Sequence, residues 1–87
     1  MEIEYSRRFI KDFKKIPSSI KKSCLGRIDL FAKDQYHPLL HNHRLEGKLK
    51  DFYSININAD WRIIFQYINK NKIYLVEIGT HSNLYDK

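Results

Sequence analysis

Four histidines are the residues of this chain whose type and spacing first suggest chemistry: His37, His41 and His43 lie close together, and His81 lies far downstream. An imidazole changes charge near neutral pH, which suits a donor or acceptor of protons. His81 follows a predicted strand end and a glycine, where a turn can project a side chain over an open sheet face. The alternative for each is a solvated surface side chain, and that interpretation suits His37 and His41 best.

A metal site is the competing use for these histidines. Catalytic zinc needs three or four ligands, usually His or carboxylate at tight helical spacing. The upstream histidines lie instead on a predicted loop, where Glu46 is the nearby carboxylate. The sequence therefore does not favour a metal site, and we predict no cofactor.

Arg62 lies near the start of an otherwise apolar segment, WRIIFQYI. A guanidinium in such a segment needs an anionic partner, either a carboxylate such as Glu77 or Asp60 or a phosphate. Asp60 is most simply a turn residue that accepts hydrogen bonds from nearby backbone N–H groups. Trp61 is more typical of core packing than of base stacking. Tyr85 is either an anchor for a short tail or an aromatic ring for stacking on a base.

Two imidazoles, a guanidinium, a carboxylate and aromatic rings form a set that suits metal-independent cleavage of RNA. Attack by a ribose 2′-OH on its adjacent phosphate needs a base for the hydroxyl proton and an acid for the departing 5′-oxygen. It also needs a fixed cation for the charge that gathers on phosphorus. The sequence shows neither a carboxylate cluster typical of two-metal nucleases nor a serine or cysteine nucleophile with a supporting base.

The composition is that of one small basic domain over residues 1–87. The chain has 16 Lys and Arg against 10 Asp and Glu, a net charge of +6 that favours nucleic acid or an acidic protein as partner. Cys24 is the single cysteine, which excludes an internal disulfide and a Cys-rich zinc site. Apolar stretches are too short for a membrane span or a signal peptide. We therefore expect a cytoplasmic protein with no membrane partner.

The hydrophobic periodicity predicts a short strand over residues 2–5 and then a helical hairpin. Ser6 is a candidate N-cap for the first helix, and Pro17 ends it. A second amphipathic helix of about 16 residues ends near Asp34. The apolar positions that these helices are predicted to share on one side are Phe9, Ile10, Phe13, Ile16, Ile20, Cys24, Leu25, Ile28, Phe31 and Ala32.

Three strand candidates follow an irregular connection or edge strand at residues 37–48. They cover residues 52–57, 61–68 and 72–78, and their short connections force an antiparallel meander. Residues 79–81 then leave the last strand, and residues 82–87 form a short tail. The predicted fold is α+β, in the order β-α-α-β-β-β, an antiparallel sheet with a two-helix hairpin packed on one face. The site is expected on the uncovered face.

Three segments, HRLEGKLKDFYSI, ADWRIIFQY and LVEIGTHSNLY, resemble the RelE superfamily of type II toxins, and most closely its YafQ-like branch. The resemblance covers nearly the whole chain. It is densest from His43 to Tyr85, where the pattern H-x-L-x-G, D-W and G-T-H-x-x-L-[FY] is met in order. It implies a RelE-like fold and a ribosome-dependent mRNA endoribonuclease that acts in the ribosomal A site. It also implies a cognate antitoxin.

The resemblance also implies roles for single residues. His43 matches the position of a general base, and His81 that of the general acid. Arg62 matches an arginine that stabilises the phosphorane in RelE and YoeB. Asp60, the first residue of the D-W pair, is assigned to orient an imidazole or the substrate. The positions expected to contact substrate or ribosomal RNA are Lys48, Lys50, Asn56, Trp61 and Tyr85.

Two strand positions depart from the YafQ pattern, because Ser54 and Asn56 stand where YafQ-like toxins have an Asp and a His. Asn56 does not exchange a proton at neutral pH, so the base role moves to His43. Arg62, which YafQ proper lacks, is expected to compensate for the lost positive charge. Two alternatives stay open. One is a ParE-like toxin that binds DNA gyrase without cutting RNA, and the other is a degenerate toxin that acts only as an antitoxin partner.

Overall fold

The computed structural model describes residues 1–85 of the chain. These residues contain a five-stranded sheet and three α-helices. The elements in order are β1 (Glu2–Tyr5), α1 (Arg7–Lys15), α2 (Ser18–Lys33), β2 (His43–Arg44), β3 (Tyr53–Asn56), β4 (Trp61–Asn69), β5 (Lys72–Thr80) and α3 (His81–Tyr85). The strands are arranged as β1-β5-β4-β3-β2. The predicted α+β order is confirmed, with β2 as an edge strand and α3 as an addition.

Two residues set the ends of the helices in the hairpin: Ser6 caps the start of α1, and Pro17 separates α1 from α2. The Ser6 hydroxyl accepts a hydrogen bond from the Phe9 N–H at 2.9 Å and donates to the Val76 carbonyl at 2.6 Å, so the cap of α1 is also tied to β5. Pro17 separates the helices and stands at the N-cap of α2, which has the predicted 16 residues. Within residues 1–85 no helix combines the length and apolarity needed to cross a bilayer.

The core lies between the hairpin and one face of the sheet. Phe31 of α2 meets Phe65 of β4 edge to face, with ring centroids 5.2 Å apart. Alternation along β3 and β4 directs Ile55 and Ile63, which are cross-strand partners, to the same face. The buried cluster consists of Phe9, Ile16, Cys24, Ile28, Phe31, Leu40, Ile55, Ile57, Ile63, Phe65, Ile73, Leu75 and Ile78.

Three positions predicted on the apolar side of the hairpin lie outside this core. Ile10 is 46% exposed, Leu25 is 53% exposed, and Ala32 is also exposed. The sheet contacts only part of each helix, so apolar residues at the flank of the stripe do not reach it. Ile10 and Leu25 instead line an apolar groove of about 270 Å³ together with Tyr5 and Phe13.

The sheet is mixed, whereas the sequence predicted an antiparallel one. Strand β1 runs parallel to β5, with Ile3 opposite Ile73 and Tyr5 opposite Leu75, and the other neighbouring pairs are antiparallel. Parallel neighbours need a long crossover connection, and the helical hairpin begins that connection directly after Ser6. Local patterns in the sequence carry no signal for this pairing between distant segments.

The end of β5 also differs from the prediction. The strand continues to Thr80, and α3 follows where a tail was expected; residues 86 and 87 of that tail lie outside the described residues. Gly79 permits this turn, because a Cβ there would lie 3.2 Å from Cδ2 of Leu84. The close approach of α3 to β5 fixes where the first residue of α3, His81, is placed.

The thiol of Cys24 gives a test of the packing between hairpin and sheet. Cys24 is fully buried, and burial raises the pKa of its thiol to about 12. Because the thiolate is the reactive species, we expect alkylation at pH 8 to be at least about tenfold slower in the native protein than in denaturant. The folded pKa is raised, so this thiol contributes stability below its ordinary pKa that is lost as the pH rises toward 12. Equal alkylation rates would contradict this packing.

Candidate active site

A hollow of about 330 Å³ lies where β3 ends and β4 begins. Asn56 and Arg62 are cross-strand partners and therefore share one sheet face, opposite the face that Ile55 and Ile63 present to the hairpin. The hollow thus lies on the face that the hairpin leaves uncovered. Its lining residues are His41, His43, Leu45, Asn56, Arg62, His81 and Tyr85.

Three predicted site residues from distant parts of the chain meet at this hollow. His43 begins β2 and lies opposite Ser54 of β3, Arg62 is near the start of β4, and His81 begins α3. Each is positioned by a different element. Strand β3 pairs with both β2 and β4, the strands that carry His43 and Arg62. Asn56 and Tyr85, predicted to contact substrate, line the same hollow.

The Arg62 guanidinium is held by backbone carbonyls. Its Nη1 donates to the Asn58 carbonyl at 2.7 Å and to the Trp61 carbonyl at 3.0 Å. Within residues 1–85 it forms no ion pair, and Glu77 is paired with Arg8 of α1 at 3.1 Å. No carboxylate in this part of the chain neutralises Arg62, so its charge is available to an anionic ligand.

His81 is fixed through its backbone and its ring. Its N–H donates to the Asp60 carbonyl at 2.8 Å, which ties the start of α3 to the turn before β4. Its ring meets the Tyr85 ring edge to face, with centroids 4.6 Å apart. The Tyr85 hydroxyl donates in turn to Oγ of Ser54, which is fully buried, at 2.9 Å. These contacts hold α3 against the open face of the sheet.

The Tyr85 hydroxyl is expected to stabilise the protein. Tyr85→Phe keeps the ring contact with His81 but leaves the buried Ser54 hydroxyl without this partner, so we expect the free energy of unfolding to fall by about 1 kcal/mol. Denaturant titration measures the change. Tyr5→Phe is the matched control, because Tyr5 is 44% exposed and its hydroxyl forms no hydrogen bond within residues 1–85. Equal stability of both variants and the wild type would contradict the assigned contact.

His43 is held from one side by the backbone of His41. The His43 Nδ1 lies 2.8 Å from the His41 carbonyl oxygen, and the two ring centroids are 4.7 Å apart. His41 has φ 46° and ψ 50°, and within residues 1–85 it is the sole non-glycine residue with a positive φ. This left-handed conformation costs about 1–2 kcal/mol for a residue with a side chain.

The sequence did not identify two residues of the lining, His41 and Leu45. The sequence predicts a solvated loop residue at His41 and assigns no role to Leu45. For Leu45 the signal is its spacing of two from His43, which along an extended segment places both side chains on one face. His41 has no such signal, because its backbone is left-handed. Although three histidines share the hollow, no group of His, Cys, Asp and Glu within the described residues is arranged to hold a metal ion.

Asn56 brings an unpaired oxygen to the hollow. Its Oδ1 is buried and, among residues 1–85, has no hydrogen-bond partner. A buried acceptor without a donor is uncommon in folded proteins and suggests a group that a ligand satisfies. The amide lies directly opposite Arg62 in the β3–β4 register, so acceptor and cation face the same space.

Asp60 and Trp61 do not line the hollow. They border a separate depression beside His81, and Asp60 contacts His81 through its backbone carbonyl. Asn58 shapes this turn, because its Oδ1 accepts the N–H groups of Asp60 and Trp61, both at 2.9 Å. Within residues 1–85 the Asp60 carboxylate forms no hydrogen bond with an imidazole, and its assigned role, to orient an imidazole or the substrate, stays a prediction. Trp61 is half-buried and packs against the core.

Lys48 and Lys50 lie outside the hollow as well. Both are exposed on the connection between β2 and β3. The Lys50 carbonyl accepts a hydrogen bond from Nε of Arg44 at 2.6 Å, so this connection is tied back to β2. Neither side chain lines the hollow, and their contact with substrate or ribosomal RNA stays a prediction.

Comparison with known proteins relates this architecture to bacterial toxins. A family profile described as "Bacterial toxin of type II toxin-antitoxin system, YafQ" matches residues 1–86. YafQ from E. coli superposes with a TM-score of 0.81 at 22% identity, covering 97% of both chains. A YoeB/ParE toxin from Agrobacterium tumefaciens gives 0.77 at 13% identity, covering 93% of this chain and 99% of that one. The E. coli DinJ-YafQ complex gives 0.78 at 23% identity, with 97% and 96% covered.

The assignment of the chain to a family rests on the match to the family profile, whereas the solved structures establish the shared fold. Comparison with curated proteins returned no match. The resemblance inferred from the motifs around His43, Arg62 and His81 is confirmed at the level of the family, and the RelE-like fold is confirmed by the superpositions. The chain belongs to the YafQ family of bacterial toxins of type II toxin–antitoxin systems, within the RelE superfamily.

Proposed function

We propose that this toxin is a ribosome-dependent mRNA endoribonuclease that uses the ribose 2′-OH as the nucleophile. The observation that carries the proposal is the meeting of His43, Arg62 and His81 around one hollow. Cleavage by this route needs a base, an acid and a fixed cation, and these three side chains supply one of each.

The two imidazoles exchange protons with the substrate in opposite directions. His43 accepts the proton of the 2′-OH as the bond between the 2′-oxygen and phosphorus forms. His81 donates a proton to the 5′-oxygen as the bond between phosphorus and that oxygen breaks. One proton is taken up and one is released, so the products are a 2′,3′-cyclic phosphate and a 5′-hydroxyl. Solvent then restores both histidines to their starting forms.

Arg62 stabilises the charge that gathers on the phosphoryl oxygens. Its guanidinium is oriented in advance by the carbonyls of Asn58 and Trp61, so little reorganisation is needed when the charge develops. The unpaired Oδ1 of Asn56, opposite Arg62, accepts a hydrogen bond from the ribose or base at the same position. Tyr85 lies beside His81 at the rim, where its ring also borders the bound nucleotide.

The small size of the hollow supports the proposed dependence on the ribosome. About 330 Å³ is room for roughly one nucleotide, whereas proteins that hold single strands alone use extended grooves with several stacking platforms. The ribosome holds the rest of the message, and the toxin binds ribosomal RNA through phosphate contacts. Residues assigned to these contacts are Arg7, Lys11, Lys14, Lys15, Lys22, Lys48 and Lys50, all of which are exposed.

A cognate antitoxin is the second partner that we propose. Solved complexes show E. coli YafQ with DinJ and Staphylococcus aureus YoeB with YefM. The net charge of +6 on this chain suits an acidic extended segment that wraps the domain. The cytoplasm, where message, ribosome and antitoxin meet, is the proposed location.

The test is cleavage of a message programmed into ribosomes, compared with the same message free in solution. We expect cutting only on the ribosome, with 2′,3′-cyclic phosphate and 5′-hydroxyl ends. A message with a 2′-deoxyribose at the cleavage position is the matched control and should remain intact. Cutting of the deoxy message, or no cutting of any message, would overturn the proposal. Inhibition of gyrase supercoiling without RNA cleavage would establish the ParE-like alternative.

A further inference from the structure

We propose that His41 is a positioning residue that fixes the tautomer of His43 through its left-handed backbone. The inference rests on the proposed function, because it concerns how His43 is prepared to act as a base. It assigns a task to a residue whose side chain was expected to be a solvated loop histidine. The assignment comes from the hydrogen bond between the two residues and from the backbone angles of His41.

The tautomer follows from the chemistry of the contact. A carbonyl oxygen only accepts hydrogen bonds, so the His43 Nδ1 that lies 2.8 Å from the His41 carbonyl must carry a hydrogen. In a neutral imidazole the other nitrogen, Nε2, is then free of hydrogen and has a lone pair to accept a proton. Within residues 1–85 the His43 ring forms no other hydrogen bond, so Nε2 is not occupied by a competing donor.

The carbonyl is aimed by an uncommon backbone conformation. His41 has φ 46° and ψ 50°, in the left-handed region, where it caps the short helical turn Pro38–Leu40. Its N–H donates to the Pro38 carbonyl at 3.2 Å, which closes that turn. A side chain disfavours this region, and such strain persists only when the surrounding structure fixes the residue.

Both neighbours of His41 supply that fixation. Leu40 on one side is fully buried in the core. Asn42 on the other side is anchored through its side-chain Nδ2, which donates to the Gln35 carbonyl at 3.1 Å and to the Tyr67 hydroxyl at 3.0 Å. The residue between these anchors is held in the left-handed conformation, and its carbonyl oxygen lies against Nδ1 of the proposed base.

The experiment compares two replacements that both remove the His41 ring. His41→Asn keeps a residue that readily adopts the left-handed conformation, whereas His41→Val introduces a β-branched residue that strongly disfavours it. The tautomer of His43 is read from the nitrogen chemical shifts of its ring in the free protein, at a pH where it is neutral. Cleavage of a ribosome-bound message is measured in parallel, with kcat and KM determined separately.

We expect the wild type and His41→Asn to carry the hydrogen on Nδ1 of His43. The asparagine and valine variants both lose the His41 ring at the hollow, so their cleavage rates are compared with each other, and His41→Asn should be the faster. His41→Val should show a mixture of tautomers and a kcat roughly 10- to 100-fold below that of His41→Asn, as for the loss of other partners that orient an imidazole. KM should be similar in the two variants, since both lack the His41 ring that lines the hollow. If the valine variant does not fold, His41→Ala is the milder replacement. It should show the same mixture of tautomers and the same loss of kcat, both smaller in size.

Two results would overturn the inference. One is a hydrogen on Nε2 of His43 in the wild type, and the other is identical nitrogen shifts in the asparagine and valine variants. Failure of the proposed function has a different signature. A wild type that leaves the message uncut, while His43 still carries its hydrogen on Nδ1, removes the ribonuclease and leaves the backbone assignment standing.

Discussion

Replacement of His81 by alanine is expected to lower kcat for cleavage of a ribosome-bound message by about 10²–10⁴-fold, the usual contribution of a positioned acid or base. The 5′-oxygen is a poor leaving group unless a proton reaches it as its bond to phosphorus breaks. His81 stands at the rim of the hollow, where the Asp60 carbonyl and the Tyr85 ring hold it. Single-turnover cleavage on programmed ribosomes measures the loss.

The matched control is His37→Ala. His37 is the histidine outside the hollow within residues 1–85, and its Nδ1 accepts the Leu39 N–H in the loop after α2. Its removal should leave cleavage within about twofold of the wild type, as for most surface changes away from a site. Ribosome binding by His81→Ala should be retained, because the lysines proposed to contact ribosomal RNA are unchanged. Equal cleavage by His81→Ala and the wild type would remove the assigned acid.

Replacement of Arg62 by alanine is expected to lower kcat by about 10²–10³-fold, comparable with the loss of one preorganised donor to a developing anion. Arg62→Lys should recover only part of this loss. A lysine supplies the charge, but its single ammonium does not reproduce a planar guanidinium that contacts carbonyls and phosphate together. Cleavage rates of the two variants, together with their affinities for the ribosome, separate the catalytic effect from a simple loss of binding.

Lys50→Ala is the control for charge alone. It removes the same unit of positive charge from an exposed position outside the hollow. We expect this variant to bind the ribosome more weakly, and its affinity to depend less steeply on salt concentration, while kcat stays unchanged. If Arg62→Ala and Lys50→Ala reduce cleavage to the same extent at saturating ribosome concentration, Arg62 has no special part in the reaction.

Features with a local cause could be predicted from the sequence. The hairpin was predicted because Phe9, Cys24 and Phe31 recur at helical spacing and Pro17 interrupts them. The last three strands were predicted because their alternation is regular and their connections are short. The parallel pairing of β1 with β5 and the folding of residues 81–85 into α3 depend on contacts between distant residues, which local patterns do not encode.

The candidate site shows the same division. Motif resemblance identified His43, Arg62 and His81, and the structure brings them together although their roles stay predictions. His41 was missed because its contribution is a backbone conformation imposed by anchors on both sides, and composition does not reveal that. Asp60 contacts His81 through its backbone carbonyl, which no side-chain motif indicates, and the role predicted for it stays untested.

The pairing of β1 with β5 has a consequence for the order in which this toxin assembles. Ile3 lies beside Ile73, so β1, which precedes the other four strands in the chain, pairs only when β5, the last of the five strands, is present. His81 follows that last strand and is added later still. Because closing such a long loop is slow, the sheet edge forms late, and the hollow is complete only when His81 has joined it.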